Sequence, residues 1–321
     1  MTATFELLQL NPKEAVEAFL RSRSWIEPDE SVGRLSKAGE GNMNLVIRVQ
    51  TTRRTLILKQ SRPFVEKYPS IAAPEDRALV EAAFYRAVRG ADGVSHRMPH
   101  LIQVDAEART LLLEDLGSAS DCTDAYAGAP LPVEELLSWL GALHALQIES
   151  SPELRNRDMR ALNHAHLFDL PMTGAHGMDL DAITPGLAAA ADAFRHDSRL
   201  ARRVSELGDL YLSDGATLLH GDYYPGSWLR TSGGVRVIDP EFGFLGVPEF
   251  DLGVFKAHLI FCGTLRVGLE AYPSSYDATL VDAFAGVELM RRLIGVAQLP
   301  MSRSLEEKTA LLDRAARLIA G

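Results

Sequence analysis

The sequence has little cysteine, no long apolar run and no excess of positive charge, and each shortage closes off a class of function. Only Cys122 and Cys262 occur in 321 residues, and two isolated thiols build neither a disulfide framework nor a zinc site. No window reaches the roughly 18 uncharged apolar residues of a membrane span. The best stretch, Leu252 to Cys262, is short and interrupted by Lys256 and His258, so no membrane partner is expected. Met1 to Leu10 has no basic region leading into an apolar one, so no secretory signal is read there and the cytoplasm is the expected location. The 33 basic and 43 acidic residues give a net charge of −10. A surface this acidic repels a phosphate backbone, which argues against nucleic-acid binding. A bound nucleotide would have to be held by a local device.

What remains is an ordinary globular composition, 46% apolar and 24% charged, long enough for two lobes with their own cores. Asn11-Pro12-Lys13-Glu14 reads as an N-cap, a proline at the first helical position and a capping-box glutamate, opening a helix near 12–23. Beyond Pro28 the pattern changes to three strands, Val32 to Ala38, Met43 to Gln50 and Thr55 to Gln60, the last two joined by a polar turn. A helix follows from about Pro74 to Val88, then short strands at His100 to Val104 and Arg109 to Leu113. After Gly117 the character turns helical. Val133, Leu136, Leu137, Leu140 and Leu143 mark one amphipathic helix. Ala216 to Leu219 and Val235 to Ile238 read as short strands, and helices near 250–261, 277–297 and 304–319 finish the chain. Residues 151–200 give no readable pattern. The expected fold class is α+β, with a small β-rich lobe over 1–115 and a larger helical lobe over 116–321.

Phosphoryl transfer needs cover over the phosphates, a cation on them, a metal held by carboxylates and a base beside the attacking hydroxyl. Candidates for each are present. Gly39-Glu40-Gly41-Asn42 joins two predicted strands, where glycines let a backbone approach an anion, although such a segment is equally an ordinary hairpin turn. Lys59 ends the apolar strand Leu56-Ile57-Leu58; a lysine there equally faces solvent, and Glu81 on the next helix is a candidate partner for it. Leu218-Leu219-His220-Gly221-Asp222 runs a strand into a loop whose aspartate can orient a hydroxyl or accept its proton. The next strand ends in Asp239-Pro240-Glu241. In an extended backbone that spacing turns both carboxylates to one side, where they suit a hard cation such as Mg²⁺.

The constellation resembles the aminoglycoside phosphotransferase and choline kinase superfamily, whose members are protein-kinase-like, and within it the methylthioribose kinases. The matching motifs are Gly39-Glu40-Gly41-Asn42-Met43-Asn44-Leu45-Val46, Ile57-Leu58-Lys59-Gln60, Leu113-Glu114-Asp115-Leu116, His220-Gly221-Asp222, Asp239-Pro240-Glu241-Phe242 with Phe250-Asp251-Leu252-Gly253, and Met290-Arg291-Arg292-Leu293-Ile294-Gly295. They keep the family's order over most of the chain. The resemblance implies ATP and Mg²⁺ as cofactors and a small-molecule hydroxyl acceptor. It assigns Gly39, Gly41, Asn42 and Asn44 to the phosphate cover and Lys59, paired with Glu81, to the α/β-phosphates. It sets Glu114 and Leu116 at the adenine, Asp222 as catalytic base, and Asp239 and Glu241 as metal ligands. Arg291 and Arg292 match an arginine pair near the transferred phosphate; by themselves they read as well as a solvated basic helix face. Asp251 would brace the catalytic loop.

The chain departs from the family's pattern in three places. Ser227 stands where many members carry an asparagine metal ligand; methylthioribose kinases share this serine and the Asp-x-Glu. Tyr223, Tyr224 and Trp228 make the loop unusually aromatic, either as core or as part of a sugar pocket. The chain is also short for that kinase, so insertions that bind substrate are expected to be missing. The resemblance admits a homodimer, for which the periodicity offers no interface. The leading expectation is a kinase of a methylthioribose-like sugar. An aminoglycoside or choline-like acceptor, or a non-catalytic regulatory protein, are the alternatives.

Overall fold

The computed structural model describes residues 5–39, 43–264 and 269–321. They divide into two units: the residues through Ser120 together with Thr231–Phe242, and Asp121–Arg230 together with Gly243–Gly321. The sequence suggests a single cut at 115/116. The observed division lies at 120, and a later segment returns to the first unit. It does so because Val237 N donates to Arg97 O at 2.7 Å and the turn Pro240–Phe242 packs on the helix Arg77–Ala87.

The first unit opens with α1 (Lys13–Ser22). Its cap is Pro12, in extended backbone and without a side-chain cap hydrogen bond, rather than Asn11. The glutamate that ties α1 to the sheet is Glu17, which accepts from Val32 N at 3.0 Å. Strands β1 (Val32–Lys37), β2 (Leu45–Thr51), β3 (Thr55–Gln60), β4 (Leu101–Asp105) and β5 (Thr110–Glu114) form one antiparallel sheet in the order β1-β2-β3-β5-β4. Strand periodicity sends alternate side chains to opposite faces. Leu45, Ile47 and Val49 of β2 and Leu56 and Leu58 of β3 bury against Val16, Phe19 and Leu20 of α1 and against Trp25. Lys59 therefore points to the other face, where α2 (Arg77–Ala87) lies with Arg77, Val80, Glu81, Phe84 and Tyr85 buried at helical spacing.

The second unit is helical. Helices α3 (Val133–His144), α4 (Ser198–Leu212), α5 (Glu249–Phe261), α6 (Ala278–Ile294) and α7 (Leu305–Ala320) are its longer elements. One apolar core joins α4, α5, α6 and α7 through Leu207, Phe250, Phe284, Leu289, Leu312 and Ile319. Among them runs a two-stranded antiparallel ribbon, β6 (Thr217–Leu219) and β7 (Phe244–Gly246), with Leu219 opposite Phe244. The unreadable stretch 151–200 consists of short helices and one π-helical turn, Ala165–Asp169. No described helix is long and apolar enough to cross a membrane.

Candidate active site

In the first unit the end of β3, one face of α2 and the turn after the strand Gly234–Val237 bring charged groups together. Lys59 Nζ lies 2.6 Å from Glu81 Oε2 and 2.6 Å from Asp239 Oδ1. Burial alone would lower the Lys59 ammonium, but Asp239, Glu81 and Glu241 outweigh it and hold the group well above its ordinary value. Glu81 is pushed up to about 8, first by burial and then by Asp239 and Glu241, with Lys59 pulling the other way. The amine stays charged whether or not Glu81 holds its proton, because Asp239 at 2.6 Å and Glu241 both act on it in a buried site.

Asp239 and Glu241 do not share one side of an extended strand, as the sequence spacing suggests. The strand ends at Val237, Asp239 has a left-handed backbone with φ of +61°, and Pro240–Phe242 is a 3₁₀ turn. A non-glycine residue in that region is strained and needs surrounding structure to hold it. The two carboxylates nonetheless meet around Lys59, through the turn instead of the strand. Asp239 keeps 45% of its side chain exposed, whereas Glu241 is buried. Two hard oxygen donors on a short turn, one of them open, are a donor set that suits a hard divalent cation such as Mg²⁺.

Asn44, expected at the phosphates, has its amide engaged within the protein. Its Nδ2 donates to Glu241 Oε2 at 2.6 Å and its Oδ1 accepts from Arg77 Nε at 2.8 Å. Gly39 sits exposed with a left-handed φ of +76°, and among the described residues nothing lies near the place a Cβ would take. Gly41 and Asn42 lie outside the described residues. Glu114 closes β5, opposite Leu56, and its side chain accepts from His100 N at 3.1 Å. Leu116 follows in a half-buried loop.

The second unit holds the other cluster. Gly221 turns the chain with φ of +82°, and both His220 N and Gly221 N donate to Asp251, at 2.6 and 2.9 Å. Asp251 also meets His144 Nε2 at 3.2 Å. Tyr223 and Trp228 are core: Tyr223 stacks on Trp139 at 5.3 Å and donates its hydroxyl to Leu136 O at 2.9 Å. Ser227 Oγ donates to the backbone oxygen of Asp222 at 3.1 Å, closing the loop. Tyr224 instead lies under Arg292, whose guanidinium carbon is 4.7 Å from the ring centre.

Asp222 Oδ1 receives both arginines, Arg291 at 3.4 Å and Arg292 at 3.2 Å. Each is 6% exposed, so the pair is not a solvated helix face. Both are held by Glu288, which lies three and four residues earlier on α6 and accepts from Arg291 at 3.1 Å and from Arg292 at 2.6 Å. Burial pushes the Glu288 carboxyl up, yet Arg292 and Arg291 hold it far below the usual carboxylate range. His258 completes the group. Its Nε2 is 3.1 Å from Glu288 Oε1, and its Nδ1 is 2.7 Å from Tyr126 Oη. Burial holds this imidazole neutral against the pull of Glu288; a neutral ring then donates to the carboxylate and accepts from the tyrosine. Sequence reasoning missed Arg77, Glu288, His258 and Tyr126.

The profile of the phosphotransferase enzyme family matches residues 34–291. The chain is similar to methylthioribose kinase of Exiguobacterium sibiricum, with 29% identity over 86% of this chain and 83% of that one. It is also similar to methylthioribose kinase of Bacillus velezensis, with 26% identity over 98% and 93%. Among solved structures, a choline/ethanolamine kinase family protein from Mesorhizobium loti superposes with a TM-score of 0.57 at 17% identity, covering 96% of this chain and 95% of that one. Choline kinase LicA from Streptococcus pneumoniae gives 0.52 at 13%, over 96% and 98%. The likeness to these two kinases shows a shared α+β, protein-kinase-like fold.

Proposed function

The chain belongs to the phosphotransferase enzyme family, and from that premise we propose that it is a cytoplasmic small-molecule kinase that moves the γ-phosphoryl group of ATP to a hydroxyl of a methylthioribose-like sugar. The observation that carries the reading is the buried ammonium of Lys59, kept charged between Glu81 and Asp239: a fixed cation of this kind suits polyphosphate. The names of the similar kinases support the sugar acceptor.

In this reading Lys59 binds the α/β-phosphates and Glu81 fixes its direction. Asp239 and Glu241 would hold Mg²⁺, which supplies charge neutralisation on the phosphates when bound. Asp222 orients the acceptor hydroxyl and takes its proton as the hydroxyl oxygen bonds to the γ-phosphorus and the bond to the ADP oxygen breaks. Arg291 and Arg292, held by Glu288, stabilise charge on the transferred group. Glu114 and Leu116 offer backbone groups to adenine.

The test is ADP release measured with Mg-ATP and a panel of acceptors: methylthioribose, ribose, choline, ethanolamine and aminoglycosides. Turnover that depends on methylthioribose is the expected result. Turnover with amine-bearing acceptors alone would replace the sugar by those, and tight nucleotide binding without any turnover would leave a regulatory protein in place of an enzyme.

A further inference from the structure

Arg77 is wholly buried, and a guanidinium out of water is tolerated when its donors are all met. Here all five are. The Nη1 group donates to Arg62 O at 2.7 Å and Pro74 O at 2.6 Å, and the Nη2 group donates to Met43 O at 2.7 Å and Phe64 O at 3.3 Å. Four acceptors are thus backbone carbonyls, which suffice to pin the start of α2 to the neighbouring segments. The fifth is a side chain: Nε donates to Asn44 Oδ1 at 2.8 Å and lies 3.4 Å from Glu241 Oε2. Because Arg77 can only donate, it fixes which end of the Asn44 amide is the oxygen. The amide nitrogen is thereby aimed at Glu241 Oε2, which it reaches at 2.6 Å. Glu241 sits on the 3₁₀ turn just after the strained Asp239, where the backbone alone gives its carboxylate little definition.

We propose that Arg77 and Asn44 are positioning residues for Glu241: the guanidinium orients the amide, and the amide holds the carboxylate in the rotamer that a divalent cation uses. This rests on the kinase reading, in which Glu241 is a metal ligand. Partners of this type around metal ligands are worth about tenfold to a hundredfold in metal affinity.

The probe is Mn²⁺ titrated into the full chain with ADP present, free Mn²⁺ being followed by its electron paramagnetic resonance signal. Asn44→Ala leaves the four carbonyl contacts of Arg77 in place and is expected to weaken Mn²⁺ binding about tenfold or more. The apparent KM for Mg²⁺ should rise in step, more than kcat at saturating Mg²⁺ falls. In a Glu241→Ala background the same Asn44→Ala change should add less than about twofold, since residues that act through one partner are not additive. A folded Asn44→Ala protein with unaltered Mn²⁺ affinity would overturn the proposal, and so would an equal loss in the Glu241→Ala background. If Asn44→Ala does not fold, Asn44→Ser is measured against the same two criteria. Absence of ADP-dependent Mn²⁺ binding in the unaltered protein would instead overturn the kinase reading and this inference with it, an outcome distinct from insensitivity to Asn44.

Discussion

Asp222 carries two arginines on a single oxygen, at 3.4 and 3.2 Å, whereas Glu288 takes the same two at 3.1 and 2.6 Å. The shorter contacts belong to the fully buried carboxylate, so Glu288 anchors the pair and Asp222 is the partner that can be removed. Taking away one member of a buried ion pair is costly when it leaves a charge uncompensated, roughly 3–5 kcal/mol; Glu288 prevents that here. Asp222→Ala is therefore expected to fold and to bind nucleotide, while kcat falls by roughly 10²–10⁴, the usual worth of a positioned proton acceptor. A kcat within twofold of the unaltered protein removes Asp222 from the mechanism. The site is legible in sequence where its groups are neighbours, as in His220-Gly221-Asp222 and Asp239-Pro240-Glu241. Glu288 is readable only as the residue three and four before the arginine pair, a spacing that puts all three on one helix face. Arg77 and His258 leave no such mark: apart from the Pro74 carbonyl their hydrogen-bond partners are distant in sequence, and only the folded chain supplies them.

The close approach of α6 to α7 depends on one glycine. A Cβ on Gly286 would lie 2.6 Å from Ala315 O, 2.6 Å from Ile319 Cγ1 and 3.2 Å from Ile319 N, and two of those atoms are backbone that cannot rotate away. Alanine ordinarily improves a helix interior by about 0.5–1 kcal/mol over glycine. At Gly286 the crowding should reverse the sign, for a net loss of about 1–3 kcal/mol, the usual range for an overpacked core. Urea unfolding of Gly286→Ala measures it, and a raised midpoint would mean that the helices part easily. The same elements show what periodicity can and cannot reveal. Strand β2 alternates along its length, α3 buries Leu136, Leu137, Leu140 and Leu143, and α7 buries Lys308, Leu312, Ala315 and Ile319 at helical spacing. Strand β1 carries no such alternation and α5 and α6 are buried nearly all round, yet composition and flanking breaks place these too within a few residues. Pro152–Arg155, Leu170–Thr173 and Leu180–Ile183 are single turns, too short to carry a period. The helix Arg157–His164 passes into the π turn Ala165–Asp169, where the angular step changes and a 3.6 template fails. Helix α4 is a different case. Leu200, Val204, Leu207 and Tyr211 lie at helical spacing behind the cap Asp197, so the signal is present in the sequence and was missed.

For the molecule as a whole, acid tests the imidazoles of the helical unit, His258 buried and His166 and His176 half-buried. Burial lowers His258, His166 and His176, with Arg291 and His176 adding to the effect at His166 and Arg195 at His176. A base lowered in the folded state binds protons more readily when unfolded, so its stabilising contribution is complete above the unfolded value of about 6.5 and is lost as pH falls below it. Glu81 works in the opposite sense: a carboxyl raised to about 8 stabilises the fold at low pH and loses that contribution as pH rises from about 4.5 to 8. The raw pH profile therefore mixes two slopes, and a difference separates them. His258 faces Tyr126, Glu288, Arg292 and Asp222. His258→Gln removes one titrating group there and leaves Glu81 untouched. The variant should be less stable than the unaltered protein at pH 7.5, and the gap should narrow toward pH 5.5 by on the order of 1 kcal/mol per pH unit below 6.5. Urea midpoints at the two pH values, taken with the slopes, give the comparison. A gap that widens on acidification would mean that His258 is charged in the folded protein, paired with Glu288 as an imidazolium, and the neutral donor-and-acceptor role drawn for it between Tyr126 and Glu288 would be wrong.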